Sequence, residues 1–372
     1  MKSITEIDKN FAPVRAVRDD IKWINCFEKP FEINGLYRPY ETGRLERFPE
    51  ELQNNENINE GCRLLSKNTS GGRIRFCTDS PFVAVKVELA CGMPMVHMPS
   101  TGHSGIDVYI ARKGHTDFRY VRTFAPEDTE AVYYDGLFLT DRESQYGEFE
   151  MLLNLPLYNS VNSLFIGIKE GSKVSSPVKF AEEKPIVFYG SSITQGGCAS
   201  RPGNNYMNYV ARRLNYDFVN LGFSGSAMGE IEVAKFIASM DISAFVLDYD
   251  HNAPDAAHLR RTHYPFYETV RRAHPDIPIV MISAPVYYRV ATRNDTLYGE
   301  SAKDYCDSNA AVMESYVKAF PTDKNLYYLD GSSCFTGIDS DACTVDGCHP
   351  NDLGFYRMAE ALYPVLKRAL IK

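Results

Sequence analysis

The sequence has no long hydrophobic run, and this absence limits where the protein is expected to act. It contains no stretch of about 18 uncharged apolar residues, which a membrane-spanning helix would need. Its first residues, MKSITEIDKNFAPVRAV, also lack the apolar core of a secretory signal peptide. We therefore expect a soluble, cytoplasmic protein without a membrane partner, although removal of an export signal would leave the same pattern.

Paired cysteines and runs of basic residues are also missing. The nine cysteines are spread from Cys26 to Cys348 without a Cys-x-x-Cys pair, which favours reduced thiols over a disulfide framework or a thiolate zinc site. Three of them, Cys334, Cys343 and Cys348, are nevertheless close enough in sequence to pair. The formal net charge is -8 and no Lys/Arg run is present, so nucleic acid is not an expected partner. A small molecule or a neutral polymer is expected instead, and the oligomeric state is not readable.

The first half of the chain has the pattern of an antiparallel β domain. Over Ile58–Lys169, short alternating stretches such as GRIRFCTD and FVAVKVELA are separated by Gly, Pro, Asn, Asp and Ser. The alternate apolar residues of Val83–Leu89 share one face, while Lys86 and Glu88 point to the other, as a half-buried strand requires. This spacing is typical of a sandwich or jelly roll. We predict such a domain, with an N-terminal extension and few helices, over residues 1–175.

A polar segment, EGSKVSSPVKFAEEKP, leads into a second predicted domain over residues 176–372. Here compact apolar strands alternate with helical patterns, which implies an α/β fold with a parallel sheet covered on both faces. In such folds the active site lies beyond the carboxyl ends of the strands. The candidate positions that directly follow the strands are Ser192, Gly222–Gly225, Asp250–Asn252 and Ala284–Tyr288.

Two motifs carry residue types suited to nucleophilic catalysis. IVFYGSSITQGG places Ser191 and Ser192 directly after a strand, and a serine acts as a nucleophile only with a general base and with donors for the oxyanion. DGCHPNDLGF places Asp346 three residues before His349. The carboxylate can therefore accept from one ring nitrogen and leave the other free to take a serine proton. Taken alone, each motif also fits a plain turn with a helix cap.

Two further turns lie between these motifs. NLGFSG ends at Gly225, where backbone N–H groups can approach a ligand closely, and DYDHNAP supplies a side-chain amide at Asn252. Together the two turns could complete an oxyanion hole, although glycine turns and loop asparagines are each common. Asp248 and Asp250 are alternative carboxylates for orienting the histidine.

Three side chains are candidate substrate contacts: Ser191, Arg201 and His251. Arg201 lies in the loop ASRPGNNY over the mouth of the site, where it either meets substrate or bridges to an acidic neighbour.

The histidines around MPSTGHSG lack a clustered carboxylate or a third histidine, so we expect no metal site. Sugar-binding surfaces often use several aromatic side chains, but the predicted β domain has only one tryptophan, Trp23. We therefore interpret this domain as a packing or site-shaping partner more than as a binding module.

In chain order, Gly-Ser-Ser-Ile-Thr, Asn-Leu-Gly-Phe-Ser-Gly, the Asn after the third strand and Asp-Gly-Cys-His-Pro-Asn-Asp resemble the blocks of the SGNH (GDSL-like) hydrolase superfamily. The resemblance covers about residues 184–370. It implies a five-stranded parallel sheet in a flavodoxin-like, three-layer domain. The β-rich domain ahead of it resembles the branch that joins a jelly roll, or antiparallel β-sandwich, to the hydrolase.

The resemblance also assigns roles to particular residues. It implies that Ser192 is the nucleophile, with Asp346 and His349 as its acid–base pair. It further implies that the oxyanion donors are the Ser192 backbone, Gly225 and the side chain of Asn252. The sequence departs from the blocks of this family in two places. Ser191 replaces the usual aspartate, and the Gly-x-Asn-Asp block reads Asp-His-Asn-Ala.

The function implied by the resemblance is hydrolysis of small acyl esters, acetyl foremost, of a carbohydrate or related small molecule. The acyl group would pass through an acyl-enzyme on Ser192, with no metal or organic cofactor. Because a histidine base must be neutral, activity is expected to fall below about pH 6. Two alternatives stay open: an acyltransferase that uses the same residues, and a non-catalytic carbohydrate-binding protein, against which the intact Ser192, Asp346 and His349 set argues.

Overall fold

The computed structural model describes residues 2–140, 147–285 and 302–371. The strands are β1 (Ile21–Asn25), β2 (Glu32–Asn34), β3 (Arg73–Thr78), β4 (Phe82–Leu89), β5 (Ile106–Arg112), β6 (Arg119–Phe124), β7 (Tyr133–Leu139), β8 (Phe149–Asn154), β9 (Val161–Lys169), β10 (Val174–Ser175), β11 (Glu182–Gly190), β12 (Tyr216–Gly222), β13 (Ala244–Asp248), β14 (Ile279–Ile282) and β15 (Leu326–Leu329). The helices are α1 (Ile4–Ile7), α2 (Pro39–Thr42), α3 (Glu50–Gln53), α4 (Glu60–Leu65), α5 (Ser100–His103), α6 (Ser192–Gln195), α7 (Tyr206–Leu214), α8 (Ile231–Ser239), α9 (Ala256–Ala273), α10 (Ala302–Ala319) and α11 (Asp352–Leu370).

The β domain is a sandwich of two antiparallel sheets around one apolar core. One sheet has the strand order β1-β9-β4-β7, and the other has the order β10-β3-β8-β5-β6, with β2 paired to β3. In β4, Val83, Val85 and Val87 are buried while Lys86 is exposed, which confirms the alternation predicted from the sequence. The strands β1 and β2 lie before the predicted region; they are short and lack a regular alternation, so the sequence pattern did not indicate them.

The second domain is built on a parallel sheet with the order β12-β11-β13-β14-β15, which confirms the predicted five-stranded α/β fold. This is the flavodoxin-like order. Helices α7 and α11 cover one face, and α8, α9 and α10 cover the other. Because both faces are covered, β13 and β14 are buried along their whole lengths, and their sequences are therefore continuous apolar runs instead of alternating ones.

The β domain packs against the edge of the parallel sheet at α6 and β12. Ser70 Oγ donates to the carbonyl oxygen of Gln195 at 2.6 Å, and Gln195 Nε2 donates to the carbonyl oxygen of Leu157 at 3.1 Å. Asn220 Nδ2 donates to Ser70 Oγ at 2.8 Å. All four residues are buried, so the short helix α6 is held from both domains.

Candidate active site

Strand β11 ends in a turn that starts α6 at Ser192. Ser191 is extended and caps the helix, its Oγ accepting from the Ile193 N–H at 3.2 Å. A side chain at Gly190 would clash, because a Cβ there would lie 2.1 Å from Thr194 Oγ1 and 2.2 Å from the Asp248 carbonyl oxygen. The Gly-Ser-Ser sequence therefore allows a sharp turn that sets Ser192 at the carboxyl edge of the sheet.

Ser192, His349 and Asp346 form a continuous hydrogen-bonded chain. The Ser192 Oγ–His349 Nε2 distance is 3.0 Å across 157 sequence positions, and the His349 Nδ1–Asp346 Oδ2 distance is 2.7 Å. Both are hydrogen-bond lengths. The side chain of His349 is 30% exposed and that of Asp346 is 6% exposed. The three residues predicted from two distant motifs thus meet at an open rim, with the carboxylate on the inner side.

The loop that carries His349 also stabilises the charge of Asp346. Asp346 Oδ1 accepts from the Cys348 N–H at 2.9 Å and from the His349 N–H at 2.7 Å. Burial raises the pKa of Asp346, but its hydrogen bonds from the His349 ring and from these two N–H groups hold the pKa below its usual value. Because an ionised carboxylate only accepts hydrogen bonds, His349 Nδ1 carries the proton, and the neutral ring leaves Nε2 as an acceptor for the Ser192 hydroxyl.

The donors predicted for the oxyanion come from α6 and from the turn Phe223–Gly225. Gly225 has a φ of +62° and faces open space in the described structure, so a backbone N–H can be presented there without a covering side chain. Among the described residues, neither the Ser192 nor the Gly225 N–H donates to a protein acceptor. Asn252 Nδ2 donates to the Phe223 carbonyl oxygen at 2.9 Å, which leaves its second amide hydrogen available.

The turn Phe223–Gly225 is tied to both sides of the Ser192 position. The Phe223 N–H donates to the Gly190 carbonyl oxygen at 2.9 Å, and the Ser224 N–H donates to Gln195 Oε1 at 2.9 Å. Gly190 is the last residue of β11 and Gln195 the last residue of α6. The turn is therefore fixed to β11 by a backbone hydrogen bond and to α6 by the side chain of Gln195.

The two alternative carboxylates have other partners. Asp248 accepts from Tyr206 Oη at 2.8 Å and from Thr194 Oγ1 at 3.2 Å; its burial raises the pKa to about 7, although both hydroxyl hydrogen bonds oppose the shift. Asp250 Oδ2 accepts from the Ala284 N–H at 2.7 Å. Asp346 is thus the carboxylate that holds His349 in the described structure. Residues 286–288, the end of the fourth candidate stretch, lie outside the described residues.

The three candidate substrate contacts are placed differently. Ser191 is fully buried, and its hydroxyl caps α6. Arg201 pairs with Asp107 at 3.0 Å and lies 4.0 Å above the Tyr120 ring, so it bridges to an acidic neighbour, one of the two roles left open by the sequence. His251 lies next to the acid–base pair: its burial, followed by the nearby charge of His349, lowers its pKa to about 4. A substrate contact by His251 stays a prediction.

Sequence reasoning missed the residues of the β domain that support this site. Tyr158 Oη donates to the Ser192 carbonyl oxygen at 3.3 Å, and Asp107 holds the loop after α6 by accepting from Arg201 and from the Gly203 N–H at 2.8 Å. These partners lie about 30 to 100 positions away in the chain, and a hydrogen bond at that separation leaves no periodic pattern.

Metal ligands, cysteines and membrane-spanning helices can each be assessed over the described residues. Within them, no cluster of three or more His, Cys, Asp or Glu side chains could hold a metal ion. The nine cysteines are all free thiols, Cys334, Cys343 and Cys348 included. None of the helices that the structure describes has the length and apolar character to cross a membrane.

Comparisons with known proteins agree with this organisation. A family model for GDSL-like lipases/acylhydrolases matches residues 183–367, and a model for the N-terminus of SGNH-hydrolase-type esterases matches residues 21–174. A search of curated proteins finds no significant match.

Several solved structures share the two-domain fold. A putative GDSL-like lipase from Bacteroides ovatus is 29% identical, with a TM-score of 0.81 over 94% of this chain and 98% of its own. A salicylyl acyltransferase from a tetracycline biosynthetic pathway is 19% identical, with a TM-score of 0.75 over 95% and 99%. A family two carbohydrate esterase from Cellvibrio japonicus is 14% identical, with a TM-score of 0.56 over 94% and 98%. The last two likenesses concern the fold alone.

Proposed function

Because this chain belongs to the SGNH (GDSL-like) hydrolase superfamily, in the branch with an N-terminal β domain, and is a carboxylic ester hydrolase, we propose that it removes small acyl groups from carbohydrate or related esters through an acyl-enzyme on Ser192. The observation that carries this proposal is the chain of hydrogen bonds from Ser192 through His349 to Asp346. A general base within hydrogen-bond reach is what a serine hydroxyl needs to attack a carbonyl carbon.

The first half of the proposed reaction forms the acyl-enzyme. Ser192 Oγ attacks the ester carbonyl while His349 Nε2 takes its proton, and Asp346 stabilises the imidazolium that results. The oxyanion is held by the Ser192 and Gly225 N–H groups and by the amide of Asn252. His349 then gives its proton to the departing alcohol, and the acyl group remains on Ser192.

The second half releases the acyl group. A water molecule takes the place of the alcohol, His349 removes its proton, and the resulting hydroxide attacks the acyl carbonyl in the same oxyanion hole. The bond between the acyl carbon and Ser192 Oγ then breaks, which releases the carboxylic acid, and His349 returns the proton to Ser192 Oγ. Each role is filled by side-chain or backbone groups of this chain.

Acetyl esters of carbohydrates are the proposed substrates. The resemblance of the sequence blocks implies small acyl groups, and the shared fold with a carbohydrate esterase directs the test to acetylated sugars. The open rim around His349, with 30% of its side chain exposed, is compatible with an alcohol group that extends away from the sheet into solvent.

The proposal is tested with acetyl, butyryl and longer nitrophenyl esters and with acetylated sugars, on the wild type and on Ser192→Ala. We expect the highest kcat/KM on acetyl esters and a loss of roughly 10⁶-fold in Ser192→Ala, to near background. A fluorophosphonate should label Ser192 covalently in the wild type only. Turnover by Ser192→Ala close to the wild-type rate would contradict the proposal.

A second arm of the same assay separates hydrolysis from acyl transfer. The acyl-enzyme is common to both reactions, and they differ in whether water or another alcohol accepts the acyl group. Product analysis with and without an added alcohol therefore decides between them. Free acetate as the main product in both conditions supports the hydrolase, whereas an acylated acceptor as the main product would assign the transferase.

A further inference from the structure

A buried arginine of the β domain lies behind the proposed oxyanion turn. Arg47 is 1% exposed and follows α2 in the chain. Its guanidinium donates only to backbone carbonyl oxygens: to Asn68 at 3.0 Å, to Asn220 at 3.2 Å, to Gly222 at 2.6 Å and to Leu65. No carboxylate among the described residues pairs with it. Burying a charge is costly unless its hydrogen bonds are satisfied, so these carbonyl groups are held in one arrangement by the guanidinium.

The carbonyl groups that Arg47 binds come from both domains. Leu65 and Asn68 belong to the β domain, whereas Asn220 and Gly222 are at the carboxyl end of β12. The Arg47 guanidinium also lies 4.6 Å above the ring of Phe223, the first residue after the strand. Arg47 therefore contacts three of the last four residues that lead into Ser224 and Gly225.

The segment that Arg47 holds positions the donors of the oxyanion hole. The carbonyl oxygen of Phe223 accepts from Asn252 Nδ2 at 2.9 Å, so a shift of Phe223 would move the amide of Asn252. Gly225 lies two residues further along the same turn. A displacement of about 1 Å in a catalytic group can cost about 10²-fold in rate. The carbonyl contacts of Arg47 resist such a displacement from the β-domain side, in addition to the hydrogen bonds of the turn to Gly190 and Gln195.

We propose that Arg47 is a positioning residue of this enzyme, which acts from the β domain through the turn Phe223–Gly225 and Asn252 to align the oxyanion hole. This inference rests on the proposed acyl-transfer chemistry and deepens it. It gives the β domain a part in catalysis beyond packing, since the residue that aligns the donors belongs to a different domain from the nucleophile.

Arg73 provides a matched comparison within the same chain. It is also a buried arginine of the β domain, 3% exposed, and it also forms hydrogen bonds to β12. Its contacts, however, lie at the other end of that strand: it donates to the Phe218 carbonyl oxygen at 2.8 Å, pairs with Asp217 and lies 3.7 Å above the Phe218 ring. An arginine that serves only to dock the two domains should behave like Arg73.

The experiment compares Arg47→Lys with Arg73→Lys in the full chain, with Arg47→Met as a second variant at the first position. For each folded protein, kcat and KM are measured with nitrophenyl acetate, and Ki is measured with a trifluoromethyl ketone, which forms a tetrahedral adduct on serine. We expect kcat to fall about tenfold in Arg47→Lys and about 10²-fold in Arg47→Met, with KM unchanged. Ki should rise by the same factor as kcat falls. Arg73→Lys should change kcat and Ki less than twofold.

A double-mutant cycle with Asn252→Ala tests the route of the effect. If Arg47 acts through Asn252 and its turn, Arg47→Lys should lower kcat less in the Asn252→Ala background than in the wild type. The cycle with Arg73→Lys should show independent effects. Should Arg47→Met not fold, Arg47→Lys and its cycle still decide the question.

Two results would overturn the inference. One is an Arg47→Lys variant whose kcat and Ki match those of Arg73→Lys, and the other is full additivity with Asn252→Ala. Neither result depends on the acyl-enzyme chemistry being wrong, because that would appear separately as turnover by Ser192→Ala. A failure of the inference on Arg47 can therefore be distinguished from a failure of the proposed function.

Discussion

The short helix α6 contributes a hydroxyl group to each of two hydroxyl–carboxylate clusters. Only one of these clusters also contains the imidazole that serine catalysis needs. Ser192 reaches Asp346 through the imidazole of His349. Thr194, two residues later, donates directly to Asp248, as does Tyr206. The first cluster lies at the exposed rim of the sheet, and the second is buried beneath it.

The two carboxyl groups differ in charge because they differ in donors. Asp346 accepts hydrogen bonds from the Cys348 and His349 N–H groups and from the His349 ring, and its pKa is lowered. Asp248 has two neutral hydroxyl donors in a fully buried position, and its pKa is raised to about 7. In this chain, N–H donors stabilise the charge of Asp346, whereas the neutral donors of Asp248 do not offset its burial.

The largest loss of activity is expected from Asp346→Asn, which tests whether the two carboxyl groups differ in function. An asparagine can donate to His349 Nδ1, which would favour the tautomer with its proton on Nε2 and remove the acceptor for Ser192. We expect kcat for nitrophenyl acetate to fall about 10⁴-fold. The same exchange at the buried cluster, Asp248→Asn, is the control. A loss of less than tenfold in Asp346→Asn would break the comparison, because the two carboxyl groups would then be equivalent.

An intermediate effect is expected from Asn252→Ala, which removes one oxyanion donor and leaves the Ser192–His349–Asp346 chain intact. We expect kcat to fall about 10²- to 10³-fold with little change in KM, because this donor acts mainly in the transition state. Asn325→Ala is a matched control, since its amide also donates to a backbone carbonyl oxygen, that of Asp276 at 3.0 Å, but lies at the start of β15. Equal rates for the two variants would exclude a catalytic role for Asn252.

The smallest effect on rate is expected from Asp248→Asn, for which we predict a kcat within tenfold of the wild type. Its effect on stability should depend on pH. With a folded-state pKa of about 7 against an ordinary value of 3.8, the folded protein retains a proton that the unfolded chain has lost. The contribution of Asp248 to the free energy of unfolding of the wild type therefore falls as pH rises from about 4 to 7, by at most about 1.4 kcal/mol per pH unit.

Thermal unfolding of both proteins across this range measures that difference. The Tm of Asp248→Asn relative to the wild type should rise between pH 4 and 7 and then level off, because an asparagine has no proton to lose. A difference that stays constant over this range would show that the folded protein loses the Asp248 proton at the same pH as the unfolded chain, so that the pKa of Asp248 is not raised. The contrast with Asp346 would then lose its electrostatic basis.

Much of the fold could be predicted because strands and helices leave periodic patterns in the chain. The helices α7, α9 and α11, with observed bounds Tyr206–Leu214, Ala256–Ala273 and Asp352–Leu370, are part of the alternation of strands and helical patterns from which the α/β domain was predicted. The strand β1 has no such pattern and was missed. The site residues Ser192, Asp346 and His349 were accessible for a different reason, since each lies in a short motif with a local geometry of its own.

The remaining features depend on contacts between distant parts of the chain. Arg201 had two possible roles in the sequence, and its pairing with Asp107 of β5 emerges only when the β domain is packed against the loop after α6. Likewise, the Asp-x-x-His spacing indicated Asp346 as the partner of His349, but no local pattern showed which groups donate to Asp346 and to Asp248. Their different donors are set by which helices and loops surround each strand end.

By itself, the sequence determined the two-domain plan, the order of the parallel strands' motifs and the three residues of the acid–base chain, because strand alternation, helical periodicity and the Asp-x-x-His spacing are local properties. Only the tertiary structure decided that Arg47 and Ser70 of the β domain hold helix α6 and the turn after β12. The physical reason is that a buried hydrogen bond is directional and depends on where two distant segments meet, which no local pattern encodes.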